Sequence, residues 1–286
     1  NTQYRFQEEY GAAIDNEITN IYALAKEKSL VNFDQYINFL KTNSLKYKIL
    51  DDYSILKREM FSGIFEVEEG LINFTSLKKL INYRIKNYKN IKVKLKTSFD
   101  GNLADKFDFV IICTYGLSSN LLPKEMRKNY KYQLIEKPVV KPHVSLKNKS
   151  IVVIDGPFMC IDPLLGSDYS LLGNVKHAIH QTSFGLKPEP IPSSMGIIPW
   201  TDIKNQSKSK FKDFIDDGKL YIKNFEKCKF KFSMTGYRVV NIKREKTDDR
   251  PTYINYSNKF IEISSGKIDT CSWTADQISD LIDSKI

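Results

Sequence analysis

Through residues 7–43 the apolar positions return at helical spacing. Ile14, Ile18, Ile21, Tyr22 and Leu24 make one run and Phe33, Tyr36, Phe39 and Leu40 a second, which predicts a helical segment over residues 1–46. "KYKILDDYSIL" and "SGIFEVEEGLI" follow around a polar turn and read as extended segments. "NFTSLKKLINYRIKN" returns to helical spacing through Leu77, Leu80 and Ile81, with Asn73 or Thr75 as its cap. "NIKVKLKTSF" sets Ile91, Val93 and Leu95 against Lys92, Lys94 and Lys96, the alternation of a strand with one wet face.

"KFDFVIICTYG" breaks that alternation. An unbroken apolar run ends at a glycine, as in a strand buried on both faces of a parallel sheet, and "KFIEISSG" near the end of the chain is similar. Between them lie short strand-like segments at Tyr130–Val140, Ser150–Ile154, Phe158–Ile161, Ser170–His180 and Phe230–Val240, with one helix expected over Ile203–Phe225. Many short strands in succession argue for an antiparallel sheet. The pattern therefore predicts α/β plus α+β architecture: an α/β layer built from discontinuous pieces, with a mixed or antiparallel sheet domain inserted into it.

Composition narrows this little. The 286 residues are 41 % apolar and 27 % charged, a globular balance. No apolar stretch reaches the roughly 18 residues of a membrane helix, and Asn1–Gln7 lacks the apolar centre of a signal peptide. The net charge of +10 comes from scattered lysines. The densest run, "NQSKSKFKDF", carries Lys204, Lys208, Lys210 and Lys212 and reads as a solvated face, the alternative being an anion-binding surface. Four separated cysteines, Cys113, Cys160, Cys228 and Cys271, lack metal-ligand spacing and suit reduced thiols in the cytoplasm.

Two stretches carry candidate chemistry. In "KFIEISSGKIDTCSWTADQISDLI" a buried strand passes through Gly266 into a helix, with Thr274 and Gln277 spaced as a capping box. A helix start presents unpaired N–H groups and a positive dipole end, and suits a carbonyl oxygen or an anion. In "DFVIICTYGLSSN" a buried strand ends at Thr114, Tyr115 and Gly116, and ligands of open α/β sheets lie beyond such strand ends. Each also reads as an ordinary connection.

In order along the chain, "DFVIICTYGLSSN", "IVVIDGPFMCIDPLLG" and "TDDRPTYI…KFIEISSGKIDTCSWTADQI" resemble the latter part of FAD-dependent oxidoreductases of the D-amino-acid oxidase type, a superfamily that includes glycine oxidase and 2-hydroxyglutarate-oxidising enzymes. The resemblance spans about residues 45–286. It implies a partial Rossmann-like FAD-binding domain over 71–120 and 241–286, a substrate domain over 47–70 and 121–240, and transfer of a hydride from a carbon bearing an amine or hydroxyl to the flavin. One departure is plain: the Gly-x-Gly-x-x-Gly turn that grips the FAD pyrophosphate in such proteins occurs nowhere in the chain. That implies a fragment, or a truncated product, of a larger flavoenzyme.

Carried over residue by residue, the resemblance places Thr114, Tyr115 and Gly116 by the adenosine and pyrophosphate side of FAD. It places Gly266, Lys267, Ile268 and Asp269 by the N1 and C2-carbonyl edge of the flavin ring. Arg250 falls where relatives keep an Arg-Pro pair that holds a substrate carboxylate. An ion pair with Asp248 or Asp249 accounts for it equally well, and the glycine that often precedes the pair is missing. His177 and His180 would share a helical face but point to opposite faces of the strand expected there; no metal is expected, and His177 stands as a pocket candidate with Tyr132, Asp155 and Tyr169. The expected partner is a small molecule, with no nucleic acid. The rival readings are a truncated or non-catalytic ligand-binding module of the same fold, and a basic nucleic-acid binder.

Overall fold

The computed structural model describes residues 2–240, 242 and 251–286. The first half runs α1 (Thr2–Tyr10), β1 (Ile14–Asp15), β2 (Thr19–Ala25), α2 (Phe33–Thr42), β3 (Tyr47–Leu50), β4 (Phe61–Val67), β5 (Leu71–Ile72), α3 (Phe74–Asn87), β6 (Val110–Ile112) and β7 (Tyr130–Lys141). The second half runs β8 (Lys149–Ile154), β9 (Met159–Pro163), β10 (Ser170–Asn174), β11 (Ile179–Gly185), α4 (Phe211–Gly218), β12 (Lys229–Val240), β13 (Tyr253–Ser257), β14 (Phe260–Ser264) and α5 (Cys271–Asp283). The mixed α/β class expected from the sequence is the class observed.

A nine-stranded mixed sheet dominates, in the order β11-β7-β10-β9-β8-β2-β4-β3 with β12 on the other edge of β7. Its one parallel pair is β2 with β8, Ile21 standing beside Ile151. On one face Ile21, Ala23, Ile64, Ile151 and Ile161 pack under Phe211 and Phe214 of α4. On the other, Leu24 and Phe65 pack with Leu40, Phe33, Tyr36 and Ile37 of α2. Each large apolar side chain fully buried in these layers contributes about 1.5–3 kcal/mol.

A second sheet has the order β13-β14-β6. Here β14 lies parallel to β6, Phe260 opposite Val110 and Glu262 opposite Ile112. Val110 and Ile112 are buried with Ala104, Leu122 and Met126. The two sheets meet where the buried Tyr130 hydroxyl of β7 donates to Glu262 Oε1 of β14 at 3.3 Å.

Several elements differ from the sequence expectation, each for a local reason. Residues 19–25, expected as helix, form β2 in the middle of the large sheet. A short strand covered on both faces has no clean period, so its apolar residues imitate helical spacing. Residues 91–99, expected as a strand, have no regular structure, and Ile91, Val93 and Leu95 are exposed: no neighbouring strand pairs with them. The apolar run at 107–113 is covered on one face only: Val110 and Ile112 are buried, whereas Ile111 on the opposite face stays 45 % exposed.

The expected helix over 203–225 shrinks to α4, which ends at Gly218 against the ring of Phe225. The single strand expected over 170–180 divides into β10 and β11, with a turn between them. The helix at 74–87 is as expected, and of its two candidate caps Asn73 acts, its Oδ1 accepting from Ser76 N at 3.0 Å. Thr274 and Gln277 form no capping box. The last helix begins at Cys271, and the Thr274 hydroxyl donates back to Thr270 O at 2.8 Å.

Candidate functional site

The parallel pairing of β6 with β14 sends both chains in one direction. The turn at Thr114–Gly116 and the turn at Gly266–Asp269 therefore leave the same, carboxyl end of the small sheet. Backbone at such an end is not used up by strand pairing and is free to face a ligand.

The first turn is held tightly. Tyr115 sits in the left-handed region at φ 54°, where a non-glycine residue is strained, and the Ser118 hydroxyl donates to its carbonyl at 2.8 Å. The Val239 N–H of β12 donates to the Tyr115 hydroxyl at 3.1 Å. Gly116 is buried against Val239 and Tyr132, and a Cβ there would run into both side chains. Tyr132, itself buried, donates its hydroxyl to Gly116 O at 2.8 Å. Burial, with Tyr130 beside it, pushes the Tyr132 phenol up to about 12, so it stays a neutral donor.

A cavity of about 560 Å³ opens beside this turn. Thr114, Tyr115, Gly116 and Tyr132 line it together with Trp200 and Tyr237. Tyr132 and Tyr237 meet edge to face with centroids 6.4 Å apart, as do Tyr237 and Trp200 at 6.5 Å. Trp200 is a second strained residue, at φ 67°. Its indole lies against Gly236, where any side chain would displace it, and the Trp200 backbone N–H donates to Thr235 O at 3.1 Å. Two left-handed non-glycine residues at one cavity mark it as a place where packing maintains an uncommon shape.

At the second turn Gly266 donates its N–H to Thr252 Oγ1 at 3.1 Å. Lys267 and Ile268 are exposed, and α5 starts three residues beyond Ile268. Two buried polar atoms here have no hydrogen-bond partner, Asp269 Oδ1 and Ser272 Oγ. Buried polar atoms are almost always paired, so these two have capacity for a ligand that offers both a donor and an acceptor. A flavin ring edge, with its N–H and carbonyl groups, fits that description. Gly266–Asp269 do not line the aromatic cavity.

The other expected site residues are dispersed. His177 stands in the β10–β11 turn, its N–H donating to Asn174 Oδ1 at 2.8 Å, away from the aromatic cavity. His180, on β11, pairs with the fully buried Glu136 at 2.7 Å. Asp155 lines a separate cavity of about 460 Å³ with Lys137, Cys160 and Arg238, and Tyr169 lies under Lys231. Arg250 lies outside the described residues. Among the described residues no group of three His, Cys, Asp or Glu side chains could hold a metal ion, and all four cysteines are free thiols. Among the described residues no helix is long and apolar enough to cross a membrane.

Sequence reasoning missed Trp200, Tyr237 and Glu136. Only the paired glycine and tryptophan positions could have signalled the first two, and they meet across strands. Glu136 looked like one more charge on an alternating strand. It is buried by α4: Ser209 and Lys210 N donate to its carboxylate, the latter at 2.9 Å, while His180 binds it from β11. Burial pushes this carboxyl up, but the hydrogen bonds from His180, Ser209, Ser233 and Lys210 outweigh it and hold the group below its ordinary value.

No family model matches the chain, and no curated protein matches it. Solved structures do. Glycine oxidase from Geobacillus kaustophilus superposes with a TM-score of 0.64 at 12 % identity, covering 98 % of this chain and 75 % of that one. L-proline dehydrogenase from P. horikoshii gives 0.66 at 12 % identity, covering 95 % and 73 %. Fructosyl amine:oxygen oxidoreductase (Amadoriase I) from Aspergillus fumigatus gives 0.59 at 10 % identity, covering 99 % and 70 %. The chain has the fold of these proteins.

Proposed function

We propose that this chain is an FAD-dependent oxidoreductase that removes a hydride from a small substrate at a carbon bearing an amine or a hydroxyl. The observation that supports this most is the meeting of the two turns, Thr114–Gly116 and Gly266–Asp269, at one carboxyl end, with a cavity at the first and orphaned polar atoms at the second. The fold agrees: the proteins that share it are named as an oxidase, a dehydrogenase and an oxidoreductase of amines or amino acids.

In this reading residues 71–120 and 241–286 form the cofactor side, and 47–70 and 121–240 the substrate side. Asp269 and Ser272 would bind the ring edge, with Lys267 and the start of α5 presenting positive potential to it. Thr114, Tyr115 and Gly116 would lie along the adenosine and pyrophosphate side. A bound flavin supplies the hydride acceptor. The chain's own residues bind, orient and dry the substrate, and a neutral amine needs no protein base. Arg250, His177 and Tyr132 stand as substrate-side candidates.

The test is to purify the chain, add FAD, remove the excess, and record the visible spectrum before and after anaerobic addition of amines and hydroxy acids. Retained flavin absorbance that bleaches with one of them is expected. A protein that stays colourless at high FAD would overturn the redox reading and favour a ligand-binding module. Steeply salt-dependent retention on DNA would instead support a nucleic-acid binder.

A further inference from the structure

We infer that Thr252 and Thr270 are positioning residues: their hydroxyls form a relay that fixes the Gly266–Asp269 turn and so holds Asp269 Oδ1 and Ser272 Oγ in place for the edge of a flavin ring. This deepens the reading above and rests on it for the identity of the ligand.

The hydrogen bonds run in one sense around the turn. The hairpin of β13 and β14 has its last backbone pair at Tyr253 and Ser264. Just beyond it the Gly266 N–H donates to Thr252 Oγ1 at 3.1 Å, and Thr252 Oγ1 lies 2.7 Å from Thr270 Oγ1. The Thr270 hydroxyl donates to Lys267 O at 2.7 Å. A hydroxyl has one proton to give, and that of Thr270 is committed to Lys267 O. In the contact between the two hydroxyls Thr252 is therefore the donor. The order is Gly266 N–H to Thr252, Thr252 to Thr270, and Thr270 to Lys267 O. Hydrogen bonds that run in one sense polarise and strengthen one another. Both ends of the relay lie in the turn, on residues 266 and 267, so it fixes the peptide between them.

Thr270 carries that restraint to the orphaned atoms. It follows Asp269 directly and is the last residue before α5. Its N–H also donates to Lys267 O at 3.3 Å, and its carbonyl accepts from the Thr274 hydroxyl. All three polar groups of Thr270 are bound, whereas Asp269 Oδ1 on one side and Ser272 Oγ on the other have no partner among the described residues. Ser272 is only 4 % exposed, so its open valence stands in a dry place at the helix start. The turn is thus sorted into atoms that hold the chain and atoms left for a ligand. An acceptor and a donor that must meet one ring edge together need such support, because a loosened turn separates them.

The test uses the full chain and FAD itself. Thr252→Val and Thr270→Val keep the shape and remove a hydroxyl, whereas Thr252→Ser and Thr270→Ser keep the hydroxyl. FAD affinity is read by quenching of flavin fluorescence, the flavin midpoint potential by anaerobic titration, and the fold by thermal melting of the flavin-free chain. Both valine variants should bind FAD about tenfold more weakly than the parent, and the serine variants within about twofold of it. The potential should fall in the valine variants, because the Ser272 hydroxyl no longer meets the negative charge that reduction places on the ring edge. Thr252 and Thr270 lie in different segments, so loss of folding at one position leaves the other to decide. Valine variants that melt lower yet keep the parent's affinity and potential would make the relay structural alone and overturn the inference. So would serine variants that lose as much as the valine ones. A parent that takes up no FAD fails the flavin reading and this inference with it; a yellow parent matched by its valine variants fails this inference alone.

Discussion

The Glu136 cluster and the aromatic cavity lie on the same two long strands, and they treat polar atoms in opposite ways. Around Glu136 both carboxylate oxygens are taken, by His180, Ser209 and Lys210 N, and the group is sealed from water. Around Tyr237 a hydroxyl lacks a partner among the described residues and the rings line an open cavity. A completed network ties strands β7 and β11 to the start of α4. An incomplete one leaves valence for something from outside. Charge alone therefore misleads: the buried ion is architecture, and the neutral pocket is the binding candidate.

The largest effect should come from breaking the completed side. Glu136→Ala strands the His180 ring, the Ser209 hydroxyl and the Lys210 N–H in a dry interior, and should cost about 3–5 kcal/mol in urea unfolding. The same carboxyl carries a pH signature. Its folded value lies below that of an unfolded glutamate, so its stabilisation is fully present above the unfolded value, near pH 4.3, and is lost as pH falls through the folded one. Glu136→Gln should flatten that acid limb of the stability curve, measured by thermal melts at stepped pH.

Gly116→Ala presses a methyl group into Val239 and Tyr132 and should cost about 1–3 kcal/mol in the same assay. Tyr132→Phe removes one buried hydrogen bond to Gly116 O, worth about 1 kcal/mol in the same unfolding assay. Tyr237→Phe comes last. Its hydroxyl has no hydrogen-bond partner among the described residues, so stability should stay within about 0.5 kcal/mol of the parent. A Tyr237→Phe loss as large as that of Tyr132→Phe would erase the distinction between the two tyrosines.

Much of the small sheet was legible. The apolar runs ending near Gly116 and Gly266 announce two strands, although apolar continuity overstated the burial of the first, where Ile111 faces outward. Asn73 was readable as a cap because its hydrogen bond is local. Strand β2 was not, since Tyr22 and Leu24 face α2 while Ile21 and Ala23 face α4, and a doubly covered strand loses its period. The cavity was half visible. Thr114–Gly116 and Tyr132 follow from chain order, but Trp200 enters only through a left-handed backbone and a glycine across the sheet, which leave no mark on local pattern. Glu136 was invisible for a related reason: alternation shows which face a residue takes, not what lies over that face.

The placement of β2 beside β8 has a consequence for how the polypeptide is made. Ile151, the neighbour of Ile21 in the finished protein, emerges from the ribosome on the order of ten seconds after it at ordinary rates of synthesis. During that interval β2 can pair with β4, and α2 can cover one side of them, while the edge meant for β8 waits as an open row of amides and carbonyls. The nascent chain thus passes through a stage in which its future central strand is an outer one, and a factor that shields such edges during translation would act on residues 19–25 in that interval.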